Sequence, residues 1–167
     1  MRTASLLCPA LLLLAACGER PVTRKGDVTP ADVIAGAAES LDHFESAEGK
    51  FGIDFPPVWK GNYTTIARVD TTAGSHFMVE FRFKPTPAMH VPPQTLLAVR
   101  IFTKAAWEKV ASGPNQHIGI LLGQGGDNAF VLSLAPRNPY PAGTDAADLF
   151  DKMMLGVFNQ KPRFIAH

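Results

Sequence analysis

Residues 76–84 read HFMVEFRFK, and their character alternates at a period of two. Phe77, Val79, Phe81 and Phe83 share one face; Met78, Glu80, Arg82 and Lys84 share the other. That alternation predicts a strand with one face in a core and the other wet or lightly covered. Residues 51–55, FGIDF, place Phe51, Ile53 and Phe55 on one side of a shorter strand, which Pro56-Pro57 ends. A further strand is expected over 62–69, followed by a Thr71–Gly74 turn. TLLAVRIF is apolar on both faces, as a central strand would be. HIGILLG and NAFVLSL are two more strands, and the GQGGDN between them, residues 123–128, reads as the turn of a β-hairpin.

Helical spacing appears in three places. Thr29, Pro30 and Asp32 form a helix-start signal, after which Ile34, Ala37, Leu41 and Phe44 predict a helix over 29–46. Thr103 caps a short helix to about Ser112, with Ala106, Trp107 and Val110 inward and Gly113-Pro114 as its stop. Thr144 caps the last, with Asp145, Asp148 and Asp151 on its wet side. Leu149, Phe150, Met153, Met154, Val157 and Phe158 form its apolar stripe. Hairpin-length connections dominate, so the expected fold class is α+β: a mainly antiparallel sheet of about six strands with two to three flanking helices.

The start of the chain changes this picture. Arg2 precedes an apolar run over residues 4–16, too short to span a membrane and suited to a secretory signal. Leu14-Ala15-Ala16-Cys17 resembles a bacterial lipobox. That resemblance implies acylation of the Cys17 thiol, cleavage before it, and a lipid anchor at the new terminus; two or more acyl chains make such anchoring stable. Gly18 rather than Asp at the next position implies the outer membrane. The expected organisation is a signal peptide over 1–16, a lipidated tether over 17–28, and one α+β domain over 29–167, with helix 29–46 as a detachable cover.

Phe51-x-Ile53-x-x-Pro56-x-x-Trp59 resembles the opening of small secreted domains of the Mog1/PsbP-like class. The likeness spans about ten residues. It implies an accessory or binding role and carries over no functional residue.

Composition narrows the chemistry further. The chain has 167 residues and a formal net charge of +1, which does not suit a dedicated nucleic-acid binder. Loss of residues 1–16 removes Arg2 alone among charged side chains and leaves 15 basic and 15 acidic ones. Cys8 and Cys17 are the two cysteines, so the body of the protein has no disulfide framework, no thiolate metal site and no thiol nucleophile. The glycines of 123–128 lead into a strand, whereas a phosphate loop must open a helix. No Gly-x-Ser-x-Gly elbow occurs, and Ser75-His76 is more simply a turn. His76 and His90, with Met78 and Met89 nearby, could suggest copper, but a strand of about 3.3 Å per residue separates them. No catalytic residue, cofactor or metal is assigned; Cys17 is the single expected modification site.

Charge is segregated along the chain. Residues 27–54 hold seven acids and one base, Lys50; residues 58–137 hold eight bases and four acids. This suggests that the first helix covers a basic body and yields to an acidic partner, such as a glycan or a lipid headgroup. The expected function is non-catalytic binding or structural support by a lipid-anchored protein at the periplasmic face of the outer membrane. The alternatives are an anchored hydrolase using His76, His117 or His90 as its base, and a small-ligand carrier with its cleft between sheet and first helix.

Overall fold

The structure, a computed structural model, describes residues 41–114, 116–160 and 162–167. Cys17, the leader 1–16, the tether 17–28 and residues 29–40 of the first expected helix lie outside the described residues. Those described form eight strands and two α-helices: β1 (Asp42–Ser46), β2 (Phe51–Phe55), β3 (Tyr63–Val69), β4 (Phe77–Phe83), β5 (Thr95–Thr103), α1 (Lys104–Ala111), β6 (Ile120–Gly125), β7 (Asn128–Leu134), α2 (Asp145–Gln160) and β8 (Arg163–Ala166). The fold is α+β and every strand pairing is antiparallel, but the strands divide into two sheets, β1-β2-β8 and β3-β4-β5-β7-β6.

The core lies on one face of the five-stranded sheet. Val79, Phe81 and Phe83 of β4 face it, as alternation requires, beside Leu97 and Val99 of β5 and Phe130 of β7. Against them come Phe51, Ile53 and Phe55 from β2, and Phe150, Met153, Met154 and Val157 from α2. Each fully buried Phe contributes about 2–3 kcal/mol relative to an exposed one. Trp59 closes the layer. Its ring stacks on Phe55 at 4.2 Å between centroids, and its Nε1–H donates to the Met153 carbonyl at 2.9 Å. Pro56 and Pro57 lead into the 3-10 turn Pro57–Trp59, which sets the indole in that position.

A smaller cluster sits on the opposite face. There α1 lays Trp107 and Val110 over Phe102, Ala129 and Val131. Thr103 caps α1, its hydroxyl accepting from the Ala106 amide at 3.2 Å. Thr144 caps α2 in the same way through the Ala147 amide. The β6–β7 hairpin turns at Gly126-Asp127, with Gly126 at a φ of +52°. A type II′ turn needs positive φ at that first central position, and glycine supplies it without strain.

Several expectations are corrected. Residues 42–46 are a strand, not the end of a helix over 29–46. Leu41 and Phe44 lie three apart, but Phe44 and Ser46 also alternate with His43 and Glu45. Over so few residues the two periods are indistinguishable, and pairing with β2 decides. The first helix is therefore not a cover in its last turn. β8 was not expected at all; four residues long, it is defined by pairing with β2. The strand expected from His117 begins at Ile120, after a 3-10 turn over Gln116–Ile118. Phe158, expected in the α2 stripe, is exposed. At 100° per residue, Phe150, Met153, Met154 and Val157 span about 100° of the helix, and Phe158 falls outside that arc.

Replacing Trp59 by Phe removes the indole donor and part of the ring volume while keeping an aromatic at the site. The expected loss is about 2–3 kcal/mol, read as a lower urea midpoint with an unchanged m value.

Candidate functional site

The face of the five-stranded sheet turned away from the main core is only partly covered. α1 shields the end at Phe102, Ala129 and Val131. The rest carries charge, and strand register explains why. Glu80, Ala98 and Ser133 lie side by side across β4, β5 and β7; Met78, Arg100 and Val131 form the next row. A register shift between Phe81 and Arg82 sets Arg82 opposite Thr95. Ala98, the smallest side chain in its row, leaves a depression. The resulting cavity of about 420 Å³ is lined by Gln94, Thr95, Ala98, Arg100, Ser133 and Arg137, among others.

Two networks organise the charges. Arg100 Nε donates to Asp70 Oδ2 at 3.1 Å, its Nη1 donates to the Ser133 hydroxyl at 2.7 Å, and that hydroxyl donates to the Ile118 carbonyl. Two of the five guanidinium N–H donors are thereby engaged. Burial alone would raise the Asp70 carboxyl; the hydrogen bonds from Ser75 and Thr72, with Arg100 beside them, hold it below the ordinary aspartate range. Glu80 anchors the second network. It lies 3.4 Å from Arg68 and 3.6 Å from Arg82, and accepts from the Thr95 hydroxyl. Arg82 Nη2 donates to the Pro93 carbonyl, while its buried Nε–H has no hydrogen-bond partner among the described residues. Arg137 is exposed and has no ion-pair partner among the described residues. Four guanidiniums thus share this face and its rim with two carboxylates. The excess of positive charge, with unused N–H donors, suits an anion.

The histidines weighed from sequence do not converge there. His76 is exposed just before β4, His90 is exposed in a left-handed conformation after the 3-10 turn Pro87–Met89, and His117 borders a shallow depression with Thr72 and Ala73. Ser75 is a turn residue whose hydroxyl donates to Asp70 Oδ2 at 2.6 Å, with the Thr72 carbonyl also within 2.9 Å. No serine hydroxyl is hydrogen-bonded to an imidazole among the described residues. Asp145, Asp148 and Asp151 are exposed on α2, as its phase predicts.

One cluster escaped sequence reasoning. On the outer face of the three-stranded sheet, His43 Nδ1 lies 2.6 Å from Asp54 Oδ1 and its Nε2 3.3 Å from Glu45. His167 Nε2 lies 3.0 Å from the other oxygen of Glu45. Gly52, opposite Glu45 in the register, makes room: a Cβ there would stand 2.8 Å from Glu45 Oε2. The acids Glu45 and Asp54 therefore serve neighbouring histidines rather than the arginine face. No group of three or more His, Cys, Asp or Glu side chains is arranged to hold a metal ion among the described residues. Alternation in 42–46 could have placed His43 beside Asp54, but only once that segment is known to be a strand.

The hydrogen bond to Asp54 holds the His43 imidazole above its ordinary pKa, against a smaller opposing effect of burial, and Glu45 adds to the rise. Because the folded value is raised, the stabilisation is fully present below about pH 6.5 and is lost as pH rises through the folded value. An NMR titration is expected to place His43 above 6.5, and Asp54→Asn to return it toward that value and flatten this part of the stability profile.

No protein-family model, curated protein or solved structure matches the chain.

Proposed function

We propose that this chain is a lipid-anchored protein of the cell envelope whose domain binds an anionic ligand on the arginine-lined face of its five-stranded sheet, without catalysing a reaction. One observation carries the binding reading: Arg100 and Arg137 line the same cavity, with Arg82 and Arg68 on the adjoining face. The anchor reading rests on Leu14-Ala15-Ala16-Cys17 at the end of an apolar leader. Together they describe a domain held by lipid at the periplasmic side of the outer membrane. Lipid supplies the attachment, so the near-neutral mature chain needs no charge of its own to reach the bilayer. Its local excess of arginine is left to recognise a ligand.

Two experiments test the two parts separately. In its bacterial host, the intact protein is expected in the membrane fraction, and Cys17→Ser is expected to release it or leave its precursor uncleaved. A serine variant that is processed and still membrane-bound would refute the anchor. For the ligand site, inorganic phosphate serves as the probe anion in an NMR or calorimetric titration. Arg137→Ala, an exposed substitution, is expected to weaken phosphate binding about tenfold, the scale of one hydrogen bond to a charged group. Equal binding by parent and variant would refute the assignment of this cavity.

A further inference from the structure

The apolar surface is as unevenly distributed as the charge. Seven large hydrophobic side chains are exposed among the described residues. Four of them lie together: Ile120 at 60%, Leu121 at 41%, Leu155 at 57% and Phe158 at 58% exposure. Ile120, Leu121 and Phe158 line a groove of about 480 Å³ whose other walls include Leu122, Leu134 and Phe164. Every side chain lining it is apolar. A second depression of about 420 Å³ shares Phe158 and adds Leu155; its polar lining is Arg137, Asn138 and Asp151. Arg137 also lines the arginine cavity. The second depression therefore links the other two: it shares Phe158 with the groove, on the core side of the sheet, and Ala135, Pro136 and Arg137 with the arginine cavity, on the opposite face.

Scattered exposed hydrophobics need no explanation, but a contiguous apolar groove does. Its volume falls within the range of small-molecule sites. Its occupant must match an apolar run on one side and a guanidinium without a counter-ion on the other. A bare anion leaves the groove empty, and an uncharged hydrocarbon leaves Arg137 unused. We infer that the ligand is a single-chain anionic amphiphile of the fatty-acid class, its carboxylate at Arg137 and its tail along Leu155, Phe158 and Ile120. This rests on the anion site proposed above and names the class of ligand that site takes.

The test uses a soluble form beginning at Gly18, which retains every described residue of both hydrophobic clusters. It is titrated with butanoate, octanoate and dodecanoate below their micellar concentrations, with dodecanol as the uncharged control and phosphate as competitor. Affinity is expected to rise about fourfold per added methylene, the scale of a buried CH₂. Dodecanoate is expected to displace phosphate and to bind at least tenfold tighter than dodecanol. Phe158→Ser is expected to weaken dodecanoate at least tenfold while leaving phosphate binding unchanged. Val69→Ser, an exposed apolar position on the far edge strand β3, is expected to change neither. Phosphate binding with no chain-length dependence would overturn the tail groove and leave the anion site standing. Dodecanoate binding that neither displaces phosphate nor responds to Arg137→Ala would overturn the joined site. Loss of both phosphate and carboxylate binding would remove the anion reading itself. Concentration-dependent dimerisation abolished by Phe158→Ser, without dodecanoate binding, would give the groove to a second copy and overturn the inference.

Discussion

The stack of Trp59 on Phe55, with the indole donor on the Met153 carbonyl, is the contact on which the architecture depends. It joins three elements that are far apart in sequence: β2 of the small sheet, the 3-10 turn after it, and the middle of α2. Phe81 of the large sheet meets both rings edge-on, at 5.0 Å and 6.5 Å. Apart from Asn138, which donates to Ala147 and Asp151 of α2 from the loop after β7, the contacts around this node are apolar. A directional hydrogen bond inside an apolar stack fixes their mutual position, because misalignment would leave a buried N–H unpaired.

With one face of the large sheet committed to that core, the other is free to carry charge. α1 shields its apolar end, and the remainder is spanned by hydrogen-bonded arginines. Arg100 is held on both sides, by Asp70 and by Ser133, so its guanidinium is fixed in orientation. Asp70 is in turn fixed by Ser75 and Thr72. Preorganised donors lose less conformational freedom on binding, which suits a recognition surface. Arg137 at the rim is the less constrained partner.

The elements with strong periodicity were legible from residues alone. β4 declared itself by alternation, β5 by its two apolar faces, and α1 and α2 by their capping threonines. β1 and β8 were not legible because neither has a strong pattern of its own; each is a strand through pairing with β2. Phe158 was assigned inward because a stripe on a helix wheel has no visible edge until its packing partner is known. The candidate site was legible only as an excess of bases over 58–137. Which arginines meet depends on the β4–β5 register shift and on the small side chain of Ala98, and neither leaves a mark in composition. The His43–Asp54 pair was hidden behind the helical reading of 42–46.

The small sheet has a consequence for the order in which the chain folds. Its central strand, β2, is flanked by the first described strand on one side and the last on the other, and Phe164 of β8 lies 5.7 Å from Phe51 and 5.1 Å from Phe130. The edge beside β2 therefore stays open until residues 163–166 have been synthesised, so closure cannot run ahead of the ribosome. Seating β8 joins residues more than a hundred positions apart, such as Phe51 and Ala166, and the cost of closing so long a loop makes it a late step of folding.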